Sequence, residues 1–264
     1  MMMNSPYTNT AMNGMRALVC GASKGIGRAS AKALAEAGAH VIVCSRDENA
    51  LISLRDSLSG DGHEAIALDL EDSDAVKTTV SGLLESGPIQ ILVNNAAGPP
   101  GGPLLGNELE DFEGPFKRHL HASHLITRML VPGMQEAGIG RIVNIISTSV
   151  REPIPNIGLS NTLRGAMASW SKSLSRELPE CITINNILPG FTDTDRLSSL
   201  ASSINEKTGR SIEDIQASWL EQVPIGRLIK PEETANAVLF LCLPHSGGIR
   251  GVSLAVDGGR MRSI

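Results

Sequence analysis

The sequence predicts an α/β fold with one doubly wound, parallel sheet of about seven strands and helices on both of its faces. Short β-branched runs alternate with longer stretches of helical periodicity along the 264-residue chain. Strict alternation of strand and helix provides the crossover connections that parallel strands require. Most of the strand runs are nearly continuously apolar, which is typical of strands buried on both faces. With 41% apolar residues, the chain can build one large core.

The individual elements follow from apolar periodicity and from the residues that start and stop helices. Strands are predicted at residues 16–20, 40–44, 64–68, 89–94, 141–146, 182–188 and 252–256. Helices are predicted at residues 25–37, 48–58, 73–84, 108–134, 158–178 and 231–241. Gly38 is suited to end the first helix, Asp72 or Ser73 to cap the third, and Pro231 to begin the last. Gly114-Pro115 interrupts the start of the long helix at 108–134.

One composition regime covers the chain, so we expect a single domain over residues 14–264 behind a loose N-terminal tail at 1–13. The polar segment near 194–226 is predicted to form short helices in a lid. A net charge of -5 and 3% aromatic residues argue against nucleic-acid binding. The tail lacks the apolar run of a signal peptide, and no stretch is apolar enough to predict a membrane span. The four cysteines form no CxxC pair, which indicates reduced thiols in a cytoplasmic protein without a metal site.

A Gly-rich turn joins the first predicted strand to the first predicted helix and indicates a dinucleotide site. Its sequence is Gly21-Ala22-Ser23-Lys24-Gly25-Ile26-Gly27. Glycines allow a tight turn and a close backbone approach to a pyrophosphate, while the helix N-terminus offers free N–H groups. The spacing GxxxGxG differs from the commoner GxGxxG pattern. A strand-to-helix turn with no ligand could also use these glycines, but the strand and helix lie on the correct sides for a cofactor.

The end of the second predicted strand distinguishes NADP(H) from NAD(H). An acidic residue there would hold the ribose hydroxyls and repel a 2′-phosphate, whereas this chain has Cys44-Ser45-Arg46. The planar fork of Arg46 can bind a phosphate, and Lys24 adds a second positive charge. We therefore expect NADP(H) to be preferred, although both residues could instead be ordinary surface cations.

These features and four further motifs resemble the short-chain dehydrogenase/reductase family, particularly its β-ketoacyl-acyl-carrier-protein reductase-like members. The resemblance extends from about residue 16 to residue 259. The further motifs are Asn94-Asn95-Ala96, Arg141-Ile142-Val143-Asn144-Ile145-Ile146-Ser147, Asn186-Ile187-Leu188-Pro189-Gly190 and Val256-Asp257-Gly258-Gly259.

The resemblance implies a Rossmann-type sheet of seven strands and a homotetramer or homodimer packed through the fifth and sixth helices. It also implies roles in cofactor binding: Asp69 would hold the adenine, Asn95 the ribose side, and Pro189, Gly190 and Thr192 or Thr194 the nicotinamide. The full candidate set for the cofactor is Gly21, Ser23, Lys24, Gly25, Ile26, Gly27, Arg46, Asp69, Leu70, Asn95, Pro189, Gly190, Thr192 and Thr194.

The catalytic positions depart from the family pattern of Asn, Ser, Tyr and Lys. Counting 13 residues from Ser147 places Ser160 in the Tyr position, and Arg164 follows four residues later in the Lys position. The chain's one tyrosine is Tyr7, in the predicted tail, so no tyrosine can occupy that helix. His119 stands at the Asn position, and Ala97 stands where the Asn-Asn-Ala-Gly motif has its last Gly. The candidate catalytic residues are therefore Ser147, Ser160, Arg164 and His119.

Three interpretations of these replacements stay open. A serine hydroxyl is a far weaker acid than a phenol but still hydrogen-bonds a carbonyl oxygen, and an arginine can stabilise an oxyanion without relaying a proton. The chain is then a reductase with an altered proton route through water or a histidine, which we favour slightly. Alternatively, it is a non-catalytic NADP(H)-binding sensor, regulatory protein or scaffold subunit, or it catalyses another reaction in the same pocket.

Several further residues have an ordinary structural interpretation. His121 and His124, spaced three apart, are predicted to be surface or interface histidines, and Lys172 is predicted to be structural because it lies eight residues beyond Arg164. The apolar lid residues favour an apolar carbonyl substrate, but they could equally be core contacts. Those lid residues are Leu197, Leu200, Ile212, Ile215 and Trp219.

Overall fold

A computed structural model describes residues 8–263 and contains seven parallel strands in one sheet of order β3-β2-β1-β4-β5-β6-β7. The predicted doubly wound α/β fold is therefore confirmed. Tyr7 lies outside the described residues. The strands are β1 (Arg16–Cys20), β2 (His40–Ser45), β3 (Glu64–Ala67), β4 (Ile91–Asn94), β5 (Gly140–Ile145), β6 (Ile182–Pro189) and β7 (Ser253–Val256).

Nine α-helices connect and flank these strands in the described part of the chain. The predicted mixed segment after β6 forms two of them, α7 and α8. No helix among residues 8–263 has the length and apolarity to cross a membrane. The helices are α1 (Gly25–Glu36), α2 (Glu48–Arg55), α3 (Ser73–Glu85), α4 (Leu109–Phe116), α5 (Ala122–Glu136), α6 (Gly158–Glu177), α7 (Asp195–Thr208), α8 (Ile212–Leu220) and α9 (Pro231–Cys242).

The sheet buries both of its faces. Along β1, Ala17 and Val19 belong to one apolar cluster, while Leu18 and Cys20 belong to another on the opposite face. Helices α1, α2 and α9 contribute to the first cluster, and α3 and α5 contribute buried residues to the second. Burial on both faces explains the continuous apolar strand runs in the sequence.

The predicted loose tail is wrong for residues 8–13. Met12 is fully buried in the core, and its backbone N–H donates to the carbonyl of Ala37 at 2.9 Å. A side chain at Gly38 would collide with Asn13, so the end of α1 and this segment pack directly together. The burial of one large apolar side chain, worth about 1.5–3 kcal/mol, fixes the segment at a position that its polar composition does not indicate.

The long helix predicted at residues 108–134 is broken at a different place from Gly114-Pro115. Helix α4 continues through Pro115, and the irregularity is a π-helical turn at Lys117–His121 that leads into α5. A proline lacks an N–H and clashes with the carbonyl four residues earlier, so it perturbs the turn before it, and the wider turn after Pro115 has no explanation in the proline itself. That turn carries the candidate residue His119.

A row of buried amides crosses the middle of the sheet. The side-chain N–H of Asn94 on β4 donates to Asn144 on β5 at 2.8 Å, and that of Asn144 donates to Asn186 on β6 at 2.9 Å. Asn186 in turn donates to the hydroxyl of Ser253 on β7 at 3.2 Å. The four residues are directly opposite one another on neighbouring strands, so their side-chain hydrogen bonds reinforce the register of β4, β5, β6 and β7.

Candidate active site

Residues from four strands converge at the carboxyl edge of the sheet, where parallel α/β proteins bind their ligands. The strand order reverses between β1 and β4, and the chain leaves these two strands at Gly21 and Asn95. Ser147 follows β5, and Gly190 follows β6. The sheet therefore places candidate residues from distant parts of the sequence around one crevice.

The Gly-rich turn has little room for side chains. Gly21 and Gly25 adopt φ of +59° and +56°, in the left-handed region that favours glycine. A Cβ at Gly27 would lie 2.2 Å from the carbonyl oxygen of Gly21, which is a backbone atom and cannot yield cheaply. The side-chain amide of Asn95 donates to that same carbonyl at 3.1 Å. Asn95 thus braces the turn, in addition to any contact that it makes with a ribose.

The N-terminus of α1 fits the pyrophosphate of a dinucleotide. Its cap residue is Lys24, whose side chain offers no acceptor, and its first turn contains no acidic residue. The first N–H groups of this helix therefore have no side-chain cap, and the positive end of the helix dipole lies at them. The glycines let a ligand approach these groups closely.

Helix α7 begins directly over this turn. The methyl group of Thr194 would lie 3.2 Å from a Cβ at Gly25, and Lys24 forms an exposed ion pair with Asp195 at 3.4 Å. The segment between β6 and α7 is held by short local bonds, in which the Thr192 hydroxyl donates to Gly190 and the Thr194 hydroxyl donates to Thr192. The candidate residues around Pro189 thus lie between the turn and the lid.

Arg46 and Asp69 face each other at the far end of the crevice. Their charged atoms are 4.0 Å apart, and both side chains are exposed. An exposed pair at this distance contributes little to stability, so Arg46 is free to exchange its partner for a phosphate. Leu70, the next residue, lines a small cavity with Asn94 and Asn95.

Arg164 is the most deeply buried cation of the cleft. It is 9% exposed, and its Nη1 donates to the carbonyl of Ile145 at 2.9 Å. The same Nη1 lies 3.5 Å from Nδ1 of His119, whose Nε2 lies 3.0 Å from the carbonyl of Ala97. A carbonyl can only accept, so Nε2 carries the proton and Nδ1 accepts from arginine.

These contacts leave His119 neutral. Burial holds the pKa of His119 well below its ordinary value of 6.5, and the positive charge of Arg164 lowers it further. Burial also lowers the pKa of Arg164 to about 10, with the nearby charge of Arg196 as a second cause. Even so, Arg164 is charged at neutral pH.

Ser160, Arg164 and Arg196 surround the space above Gly98. A Cβ at Gly98 would lie 3.6 Å from Nη2 of both arginines and 4.0 Å from Oγ of Ser160. Ser160 and Arg164 share one face of α6, as their spacing of four residues predicts. Arg196, in the first turn of α7, is a residue that the sequence analysis missed, because nothing in the lid sequence marks it.

Ser147 lies at the end of β5 but makes a local contact. Its hydroxyl accepts a hydrogen bond from the backbone N–H of Ser149 at 3.0 Å, capping a short 3-10 turn. The hydroxyl proton has no role in that bond. Ser147 can therefore still donate to a ligand in the crevice.

The remaining candidates have structural contacts. The Trp170 indole N–H donates to His124, and Lys172 donates to the Gly251 carbonyl at 2.9 Å, away from the cleft. The four cysteines are free, and three of them are buried.

Most of the apolar lid residues pack on one another. Ile215 and Trp219 join Phe191 in a satellite core that is flanked by Leu197 and Leu200, while Ile212 is exposed.

Arg260, in the C-terminal segment, packs against this satellite core. The Phe191 and Trp219 rings stack with centroids 5.4 Å apart, and the guanidinium of Arg260 lies 4.8 Å from the Phe191 ring centre. Arg260 also donates to the Thr148 hydroxyl at 3.2 Å, one residue beyond Ser147. The lid is thereby connected to the end of β5.

Known proteins match almost the whole chain. A family model described as enoyl-(acyl carrier protein) reductase matches residues 21–260. The 3-oxoacyl-[acyl-carrier-protein] reductase FabG of Escherichia coli strain K12 is 34% identical over 250 residues, which cover 93% of this chain and 97% of that protein.

Two solved structures have the same fold. L-Sorbose reductase from Gluconobacter frateurii, complexed with NADPH and L-sorbose, is 29% identical with a TM-score of 0.90, covering 97% of this chain and 100% of that chain. The 3-ketoacyl-(acyl-carrier-protein) reductase from Brucella melitensis, complexed with NADH, is 32% identical with a TM-score of 0.83, covering 94% and 99%. Similar proteins have therefore been crystallised with either reduced dinucleotide.

Proposed function

Because the chain belongs to the short-chain dehydrogenase/reductase family, with relatives among its 3-oxoacyl-[acyl-carrier-protein] reductases, we propose that it is an NADP(H)-dependent carbonyl reductase with an altered catalytic set. In this set, Ser147 keeps the usual serine position, while Ser160 and Arg164 stand in the positions of the usual tyrosine and lysine. One observation carries the proposal: the buried guanidinium of Arg164 and the hydroxyl of Ser160 lie 3.6 Å and 4.0 Å from one point, the position that a Cβ on Gly98 would take. A carbonyl oxygen placed there would meet one charged and one neutral donor.

The cofactor-holding residues are the ones gathered at the sheet edge. The first N–H groups of α1 would hold the pyrophosphate, and the segment from Pro189 to Thr194 would contact the nicotinamide half. Arg46 would hold the 2′-phosphate, releasing its weak pair with Asp69. When bound, NADPH supplies the hydride that reduces the carbonyl carbon.

The residues of the chain act on the carbonyl oxygen. As the carbonyl is reduced, negative charge develops on that oxygen, and the fixed charge of Arg164 stabilises it without reorganisation. The hydroxyl groups of Ser147 and Ser160 orient the oxygen by hydrogen bonds. Arg164 does not give up a proton at neutral pH, so the alkoxide takes its proton from solvent water.

His119 has a positioning role in this mechanism. Both of its ring nitrogens are engaged, with Nε2–H donating to Ala97 and Nδ1 accepting from Arg164. A neutral imidazole bonded in this way has no proton to pass to a substrate. It instead holds the arginine, so water is favoured over a histidine as the proton source.

A non-catalytic NADP(H)-binding protein is the alternative, and one observation favours it. The described cleft lacks a tyrosine, and His119 is not a free acid. Losing a general acid typically slows an enzyme by about 10²–10⁴-fold. In that case the same fold would bind the cofactor as a sensor or scaffold without using it.

We also propose a homodimer or homotetramer packed through α5 and α6. The contact between Trp170 and His124 lies on the exposed surface that these two helices share. Sedimentation equilibrium gives the stoichiometry, and a monomer at micromolar concentration contradicts this proposal.

Turnover and binding, measured separately, test the function. NADPH oxidation is followed with ketones, quinones and acyl thioesters, while NADPH and NADH binding are titrated in parallel. We expect binding of NADPH and slow turnover of at least one ketone. The double variant Ser160→Tyr/Arg164→Lys restores the family pattern and is expected to raise the rate. Binding with no turnover by either protein supports the non-catalytic alternative, and failure to bind either dinucleotide contradicts both.

A further inference from the structure

The Arg164 guanidinium has more donors than the protein gives it acceptors. Of its five N–H groups, those on Nη1 have partners in the described residues, namely the Ile145 carbonyl and His119. The groups on Nε and Nη2 have no hydrogen-bond acceptor within residues 8–263, although the residue is only 9% exposed. Its Nη2 points to the space above Gly98. A buried side chain with open donors aimed into a cleft indicates a ligand that accepts hydrogen bonds.

The charge of Arg164 is also uncompensated. Among the described residues, neither Arg164 nor Arg196 has a carboxylate within 4.0 Å. Buried charges in proteins are normally paired, because an unpaired ion in the interior loses its hydration without compensation. The neighbouring charge that acts on Arg164 is instead that of a second cation, Arg196, which adds to the effect of burial in lowering the pKa of Arg164. The missing counter-ion is therefore expected from outside the protein.

Arg196 stands at an unfavourable place for a cation. It lies in the first turn of α7, at the positive end of the helix dipole, where acidic residues are preferred. Its Nη2 donates to the carbonyl of Pro99, so its guanidinium is held beside the loop that contains Gly98. Lys207 tethers the same loop through the carbonyl of Gly101 at 3.1 Å. The two guanidinium groups thus approach one point from the rim and from the interior, each with its Nη2 3.6 Å from the position that a Cβ on Gly98 would take.

We propose that the guanidinium groups of Arg164 and Arg196 bind a carboxylate of the substrate, so that the reduced compounds are oxo acids. This inference rests on the proposed reductase function and names its substrate class. Two guanidinium edges suit the planar carboxylate, since arginine offers parallel donors that match its two oxygens. Ser160 Oγ lies near the same point and is placed to bond the neighbouring keto oxygen. The carboxylate then supplies the negative charge that the described cleft lacks.

The test compares an oxo acid with its uncharged ester. Benzoylformate and methyl benzoylformate differ at the carboxylate alone, and NADPH oxidation is measured with each. We expect kcat/KM for the acid to exceed that for the ester by about 10- to 100-fold, the size of one or two charge-assisted hydrogen bonds. Arg196→Gln is expected to remove most of this preference by raising KM for the acid more than KM for the ester. Lys32→Gln is the control, because its charged group is exposed on α1, away from the proposed interface of α5 and α6.

A binding measurement separates this inference from the reductase proposal. Mandelate and methyl mandelate, the reduced forms, are titrated calorimetrically into the NADPH-saturated protein, because the reduced cofactor cannot transfer a hydride to an alcohol. Mandelate binding that weakens about 10-fold or more in Arg196→Gln supports the carboxylate site, even if the reductase assay is silent. Equal affinity for acid and ester overturns it and leaves the reductase proposal intact. Arg196→Gln that weakens NADPH binding instead of mandelate binding also overturns it, because the arginine would then serve the cofactor.

Discussion

The cofactor turn and the catalytic cleft lie side by side on one edge of the sheet, but they differ in how much of the family pattern they keep. At the turn, Gly21, Gly25 and Gly27 are present, and backbone geometry explains each of them. In the cleft, we propose that Ser160 and Arg164 on α6 stand in place of the family's tyrosine and lysine. Cofactor binding uses backbone groups that only glycine leaves accessible, whereas proton transfer depends on a few replaceable side chains. The two functions can therefore diverge separately.

The largest effect is expected for NADPH binding, from a substitution that disrupts the turn and leaves the cleft intact. Gly27→Ala places a Cβ against the Gly21 carbonyl, so the turn must open and the pyrophosphate loses its fixed N–H groups. Losing two charge-assisted hydrogen bonds of about 2 kcal/mol each corresponds to about 10³-fold weaker NADPH binding by calorimetry. Gly82→Ala is the control, because a Cβ there on α3 meets open space. Unchanged NADPH affinity in a folded Gly27→Ala protein would contradict the assignment of the turn.

Arg164→Met makes the opposite change, removing the charge of the cleft and leaving the turn intact. The loss of a preorganised oxyanion donor is expected to lower kcat by about 10²–10³-fold on an uncharged ketone, with NADPH affinity nearly unchanged. Arg164→Lys keeps the charge and is expected to recover part of the rate. Lys32→Met, at an exposed cation on α1, provides the control in steady-state assays. An unchanged kcat in Arg164→Met would contradict the proposal that Arg164 stabilises the oxyanion.

Arg46→Ala tests whether the cofactor site distinguishes NADPH from NADH through Arg46. Removing its guanidinium eliminates a charge-assisted contact with the 2′-phosphate, so NADPH binding should weaken by about 10- to 100-fold. NADH lacks that phosphate, and its affinity should not change. Lys32→Ala removes an exposed cation elsewhere on α1 and serves as the control. Equal losses for NADPH and NADH would mean that Arg46 does not read the phosphate.

The smallest effect concerns His119 and acid stability. The folded protein keeps this imidazole neutral, because its pKa lies well below 6.5, whereas the unfolded chain protonates it. The unfolded state therefore binds the extra proton as pH falls below 6.5, and the free energy of unfolding drops by up to about 1.4 kcal/mol per pH unit. Urea denaturation at about pH 7.5 and about pH 5.5 measures the drop, which His119→Asn should reduce. The exposed His121→Asn is the control, and equal pH dependence in both variants refutes the assignment.

Much of the fold could be predicted from the sequence, because its signals are local. The β1 run, buried on both faces, and the glycine after it both follow from neighbouring residues, and the spacing from Ser160 to Arg164 places both on one helix face. Features that depend on distant contacts could not be predicted. The burial of Met12 requires the end of α1, and the position of Arg196 requires the loop at Gly98. The π-helical turn that carries His119 has no signal in the local sequence, because the visible helix breaker, Gly114-Pro115, lies inside α4.

The amide row through Asn94, Asn144 and Asn186 constrains how this sequence can evolve. Each amide donates in the same direction, so replacing Asn144 alone by leucine leaves a buried donor on one side and a buried acceptor on the other. Either orphaned group costs about 1–3 kcal/mol, yet replacing the whole row by apolar residues could be nearly neutral. The intermediate sequences are the unfavourable ones. The row is therefore difficult to lose by single substitutions, whereas the side chains of the neighbouring cleft can be replaced one at a time.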